Sequence, residues 1–122
     1  MAVAYLYLQG ALCVLWWLLL CFVPTTRVAF LPDGFPEEAL LGFWLADLVG
    51  WTAGSWFAAY TMQRDSRWRS FALGCATAGV GYPTLTCMGT ALITHSGWLG
   101  AALMTPALCL TIVIALRHPT HS

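Results

Sequence analysis

The 122-residue chain is 60% hydrophobic and 8% charged, with a mean hydropathy of +0.75. A water-soluble domain carries about 25% charged residues, so the composition argues against an ordinary soluble surface and for a membrane protein. Five basic and five acidic side chains cancel to zero net charge, which leaves no electrostatic footprint for a nucleic-acid partner.

Four apolar runs have the length of a bilayer-crossing helix, about 20 residues. The first, 4–23, has no charge, and Gln9 is its one strongly polar side chain. It lacks a basic flank and an A-x-A-like cleavage site, so it reads as a retained helix and not as a signal peptide. The connection 24–36 follows, with Leu31-Pro32-Asp33-Gly34 as a turn signal. Its apolar Val28, Ala29, Phe30 and Leu31 place it on the membrane surface or over the mouth of a bundle. Pro36, Glu37 and Glu38 open helix two, 39–62, with two acids at the positive end of the helix dipole. Asp65 or Ser66 is the expected cap of helix three, 71–94, which contains Pro83. Ser96 is the expected cap of helix four, 98–116, which contains Pro106 and gives way to Arg117, His118 and Pro119. The link around His95-Ser96-Gly97 is so short that helices three and four must be antiparallel neighbours. The predicted fold is an all-α integral membrane protein, four transmembrane helices in an antiparallel bundle forming a single domain over 1–122.

Orientation follows from the arginines. With four spans, both termini and the loop 63–70 share one side, which holds Arg64, Arg67, Arg69 and Arg117, while the other side holds Arg27. The positive-inside rule then puts the N and C termini in the cytoplasm. Trp68 and Trp98 have the positions of interfacial anchors. The absence of Lys and Asn beside abundant Ala, Gly and Leu fits a GC-rich bacterial genome, hence a bacterial cytoplasmic (inner) membrane.

Lipid tails are as apolar as leucine, so helices in a bilayer associate through close packing and polar contacts. Helix two offers Gly50, Gly54 and Ala58 at helical spacing, and helix three offers Gly74, Ala78 and Gly81. These stripes predict close helix packing, inside one bundle or between subunits. Asp47, on the same face as Gly50 and Gly54 of a regular helix, lies about 5 Å from the midplane at about 1.5 Å per residue. Counting along antiparallel helices puts Thr86, Thr105 and Trp16 or Trp17 at similar depth, with Tyr82 near the midplane. No basic residue stands at that level. The expected arrangement is a protonated Asp47 donating to Thr86, to Tyr82, or to the carbonyl that Pro83 frees one turn earlier. Its two readings are a ligand- or proton-handling group and an interhelical hydrogen bond that fixes register. Trp16, Trp17, Trp44 and Trp51 are candidates to line an apolar ligand pocket.

Familiar chemistry is absent from the sequence. Cys13, Cys21, Cys75, Cys87 and Cys109 form no Cys-x-x-Cys pair, which speaks against a disulfide framework or a zinc site. His95, His118 and His121 cannot pair across a bundle core, and no phosphate-binding glycine loop or Ser-His-Asp set is present. No catalytic residue, metal or cofactor is therefore assigned. The leading expectation is a small accessory membrane subunit or scaffold, whose partners are the lipid bilayer and other membrane subunits or its own copies in an oligomer. The alternative is a binding or transport protein for a small apolar or weakly polar ligand, with Asp47 as its polar group. An acid–base enzyme would rest on Asp47 and Tyr82 alone.

Overall fold

A computed structural model of the chain describes residues 1–27, 34, 36, 38 and 41–118. Among these residues it is all-helical, with four helices. Helix α1 is Ala2–Phe22, followed by a 3₁₀ turn at Pro24–Thr26. Helix α2 runs through three consecutive segments, Trp44–Ala46, a π-helical stretch Asp47–Ala53, and Gly54–Gln63. Helix α3 is Arg69–Thr94 and helix α4 is Trp98–Arg117. Of the expected turn before helix two, Gly34 is described, with φ +76°. The rest of that turn, the acid Glu37, and the tail from Pro119 through His121 lie outside the described residues.

Helices α1 and α4 are long and apolar enough to cross a membrane. Helix α2 is divided by its π-helical stretch, and α3 is diluted by Gly74, Gly79, Gly81, Gly89 and a run of threonines. Those threonines satisfy their own hydroxyls: Thr77, Thr84, Thr86, Thr90 and Thr94 each donate to the carbonyl four residues earlier at 2.7–2.8 Å.

The helix ends differ from the caps read in the sequence. Arg27 folds back on the end of α1, its Nε 2.6 Å from the Leu20 carbonyl and its Nη2 3.2 Å from that of Cys21. A cation there meets the negative end of the helix dipole. Ser66 Oγ accepts from the Trp68 N–H at 3.1 Å, and Asp65 pairs with Arg69 at 2.8 Å, so α3 starts without a side-chain cap. Ser96 donates to Thr94 Oγ1 at 3.1 Å and does not cap α4; Gly97 holds that position. His95 and Gly97, at φ +54° and +73°, reverse the chain through two left-handed residues, and α3 and α4 pack against each other extensively.

The helices pack in the order α1–α2–α3–α4, and the circuit closes only lightly between α4 and α1. One apolar cluster, around Leu6, Ala58, Ala72 and Leu73, sits at the end that carries the termini. A second, around Cys13, Trp17, Trp51, Val80 and Met104, sits toward the other end. Between α2 and α3 the backbones touch: Gly50 lies against Gly79, and Gly54 against Ala76. The small-residue stripe of α3 that meets α2 is thus Ala72, Ala76 and Gly79. Gly74 and Ala78, expected in that role, face outward, with nothing near a Cβ built on Gly74. Gly81 is buried against Leu108 of α4. Spacing alone does not single out one stripe, because several faces of a helix this rich in small residues satisfy it. Pro83 frees the Gly79 carbonyl, at the crossing itself.

A methyl group at Gly79 would overlap the Gly50 carbonyl oxygen. Gly79→Ala is expected to lower stability in mild detergent by about 1–3 kcal/mol, the usual cost of overpacking. Gly74→Ala, in open space, is expected to be neutral or to stabilise by up to about 1 kcal/mol through helix propensity. The thermal midpoints of the two variants check this pair.

Candidate functional site

The interior is polar along the seam between α1 and α2. Asp47 is 4% exposed, and its Oδ2 accepts from Trp17 Nε1 at 2.9 Å. Cys13 Sγ lies 3.8 Å from the Asp47 carbonyl oxygen. Further along, Trp51 Nε1 donates to the Gln9 carbonyl at 3.2 Å, Thr52 to that of Gly10 at 3.1 Å, and Trp56 Nε1 to that of Tyr7 at 3.1 Å. Each of these carbonyls lies inside α1, and an sp² oxygen has a second lone pair to offer. Gly10 makes the approach possible, because a Cβ there would collide with the Trp56 ring.

The π-helical stretch sets which side chains share this face. Bonding from residue i to i+5 places Thr52 over Asp47, where a regular helix would place Trp51. Asp47, Trp51, Thr52 and Ser55 are all buried, and they meet α1, while Gly50 and Gly54 turn to α3. The single face expected to hold Asp47, Gly50 and Gly54 is therefore split in two.

Gln9 forms a second polar centre and joins three helices. It is 3% exposed, its Nε2 donates to Ser55 Oγ at 2.8 Å, and its Oε1 lies 3.0 Å from Thr111 Oγ1 on α4. Thr111 Oγ1 is also 2.7 Å from the Ala107 carbonyl, so its one proton serves either acceptor. The sequence signal for Gln9 was its isolation as the strongly polar side chain of an otherwise apolar run. Its partners Ser55 and Thr111 could not be paired with it without the helix order.

The predicted site residues are only partly brought together. Asp47 meets Trp17, not Thr86, Thr105 or Tyr82. Thr86 and Thr105 donate to carbonyls of their own helices at 2.8 and 2.7 Å, and Tyr82 is 64% exposed on the outer face of α3. Of the four tryptophans expected around a pocket, Trp16 and Trp51 line one, Trp17 is committed to Asp47, and Trp44 lies at the exposed start of α2.

That pocket is an apolar cavity of about 360 Å³ in the seam between α1 and α4. Trp51 forms part of its wall, Gln9 supplies its amide, and Gly100, Met104 and Ala107 line the α4 side. Leu12 and Leu103, both more than half exposed, stand at its rim, so it opens sideways to the outer surface of the bundle. Asp47 does not line it. Among the described residues no three His, Cys, Asp or Glu side chains converge as metal ligands, and the five cysteines are free thiols. No protein-family model, curated protein or solved structure matches the chain.

The Trp17–Asp47 hydrogen bond ties α1 to α2. A double-mutant cycle of Trp17→Phe and Asp47→Ala is expected to return a coupling of about 0.6–1.7 kcal/mol, the range of interhelical polar contacts in membrane proteins. Denaturant unfolding in mixed micelles measures it, and additivity of the two variants would deny the bond an energetic role.

Proposed function

We propose that the chain is a small integral membrane subunit or scaffold, a bundle of four membrane-crossing helices that forms one domain in a bacterial cytoplasmic membrane. The observation that carries this reading is the inverted distribution of polarity. Gln9, Asp47, Thr52, Ser55, Thr61, Thr84 and Thr111 are buried, while Leu8, Leu15, Val49, Leu92, Ile93, Leu103 and Leu116 are exposed. In water both halves of that pattern are unfavourable. In hydrocarbon both are favourable, because polar groups must then find partners inside the protein.

The ends of the helices support the orientation. Arg64, Arg67, Arg69 and Arg117 cluster where the termini lie, and Arg27 stands at the opposite end, so both termini are cytoplasmic under the positive-inside rule. Arg64 and Arg67 lie over the rings of Tyr60 and Trp68, 5.6 and 5.5 Å from the centroids, an arrangement suited to a membrane interface.

The subunit role draws support from the outer face of α3. Gly74, Ala78, Tyr82 and Leu85 are exposed along one side of that helix. Small residues on an outward face let a second backbone approach closely, and a phenol left toward lipid gains from an acceptor on a partner. A specific observation also favours a second reading, in which the α1–α4 cavity holds a small apolar or weakly polar ligand; Gln9, which lines it, replaces Asp47 as the polar group.

Gentle extraction followed by native mass spectrometry tests the subunit reading. The expected result is a homo-oligomer or a fixed-ratio complex that falls apart in Ala78→Trp while the chain stays helical. A monomer under all mild conditions would overturn it. A reporter enzyme fused after Ser122 is expected to be active only in its cytoplasmic form, and a periplasmic signal would reverse the topology.

A further inference from the structure

We infer that the α1–α4 cavity is a lipid site, taking one acyl chain of an anionic phospholipid whose headgroup lies at the arginine-bearing end of the bundle. The inference rests on the membrane reading above. The cavity runs along the helices: its α1 lining extends from Tyr5 to Trp16, about 16 Å at 1.5 Å per residue, and its α4 lining from Gly100 to Ala107, about 10 Å. An apolar space that follows the helix axis and opens toward lipid suits a segment of a hydrocarbon chain. Its lining is mostly apolar and aromatic, and its one amide, Gln9, is already engaged by Ser55 and Thr111, so the walls offer a ligand mainly dispersion contacts.

Water does not suit such a space, because an apolar cavity gives it too few partners. An empty cavity forfeits the contacts of its lining atoms. Its rim at Leu12 and Leu103 is exposed, and in a bilayer the neighbouring molecules there are lipid chains.

Charge selects the headgroup. Tyr5 lies near the start of α1, at the end of the bundle where α4, which forms the other wall of the slot, finishes at Arg117; Arg64 and Arg67 lie at the same end, on the loop between α2 and α3, where Arg69 pairs with Asp65. At the opposite end, Arg27 is turned onto the carbonyls of Leu20 and Cys21. A chain seated in the slot from the Tyr5 end therefore brings its phosphate to the positive surface.

The test uses the purified full chain in mild detergent, offered equimolar dioleoyl phosphatidylglycerol and dioleoyl phosphatidylcholine and weighed by native mass spectrometry. The expected result is one retained lipid per chain, with phosphatidylglycerol favoured by about fivefold, the factor that one basic side chain near a membrane surface supplies. Arg117→Gln is expected to reduce the preference and to keep the bound chain. Ala107→Phe fills the slot and is expected to reduce retention by about tenfold; Leu103→Trp at the exposed rim does the same if Ala107→Phe does not fold. Equal retention in wild type and a folded slot variant would overturn the inference, as would indifference to headgroup or a dimer that covers the slot and carries no lipid. Failure of the membrane reading looks different: the chain would leave the membrane fraction in alkaline carbonate, whatever lipid it retains.

Discussion

The bundle depends on a single constraint: polar groups on α1 and α2 have to be satisfied by each other. Trp51, Thr52 and Trp56 donate across the seam to carbonyls of α1, while Trp17 and Gln9 donate back to Asp47 and Ser55. Away from water an unmade bond of this kind costs much more than the made bond contributes. The seam therefore fixes register through what would be lost by slipping. A displacement of one residue would strand the Asp47 carboxyl, and the indole N–H groups that find α1 carbonyls would lose them together.

The π-helical stretch lets one helix serve two neighbours of opposite character. A regular α2 would carry Asp47 and its glycines on a shared face, forcing the hydrogen-bonded seam and the close backbone contact onto the same partner. With i→i+5 bonding over Asp47–Ala53, the polar side chains stay with α1 and Gly50 is released to meet Gly79 of α3. Pro83 adds to the same junction from the other side, since the carbonyl it frees belongs to Gly79. Polar matching holds one side of α2 and backbone proximity holds the other.

This division explains what was legible in the sequence. Helix positions follow from apolar run length and from Gly97, Pro24 and the arginine-rich loop; the expected runs 71–94 and 98–116 match Arg69–Thr94 and Trp98–Arg117 within two residues at each end. Asp47 is conspicuous because an acid in an apolar run needs a polar partner inside the bundle. Its partner was not legible, since counting depth along antiparallel helices assumes 3.6 residues per turn and selects a level, not a direction. Thr86 and Thr105 share that level yet turn to their own carbonyls, a choice open to any helical threonine. Gln9 was visible as an isolated amide, but its importance rests on Ser55 and Thr111, which are 46 and 102 residues away in the chain.

The uneven closure of the circuit bears on how the proposed roles combine. Three of its seams are extensively packed, and the fourth, between α4 and α1, is bridged by Gln9 and Thr111 beside the cavity. The outward small residues Gly74 and Ala78 lie on α3, which stands diagonally across the circuit from α1. A partner seated there would leave the α1–α4 seam uncovered, so the proposed assembly and the proposed lipid occupancy would use separate surfaces. Trp51 lines the cavity, and its helix also carries the Gly50 contact to α3.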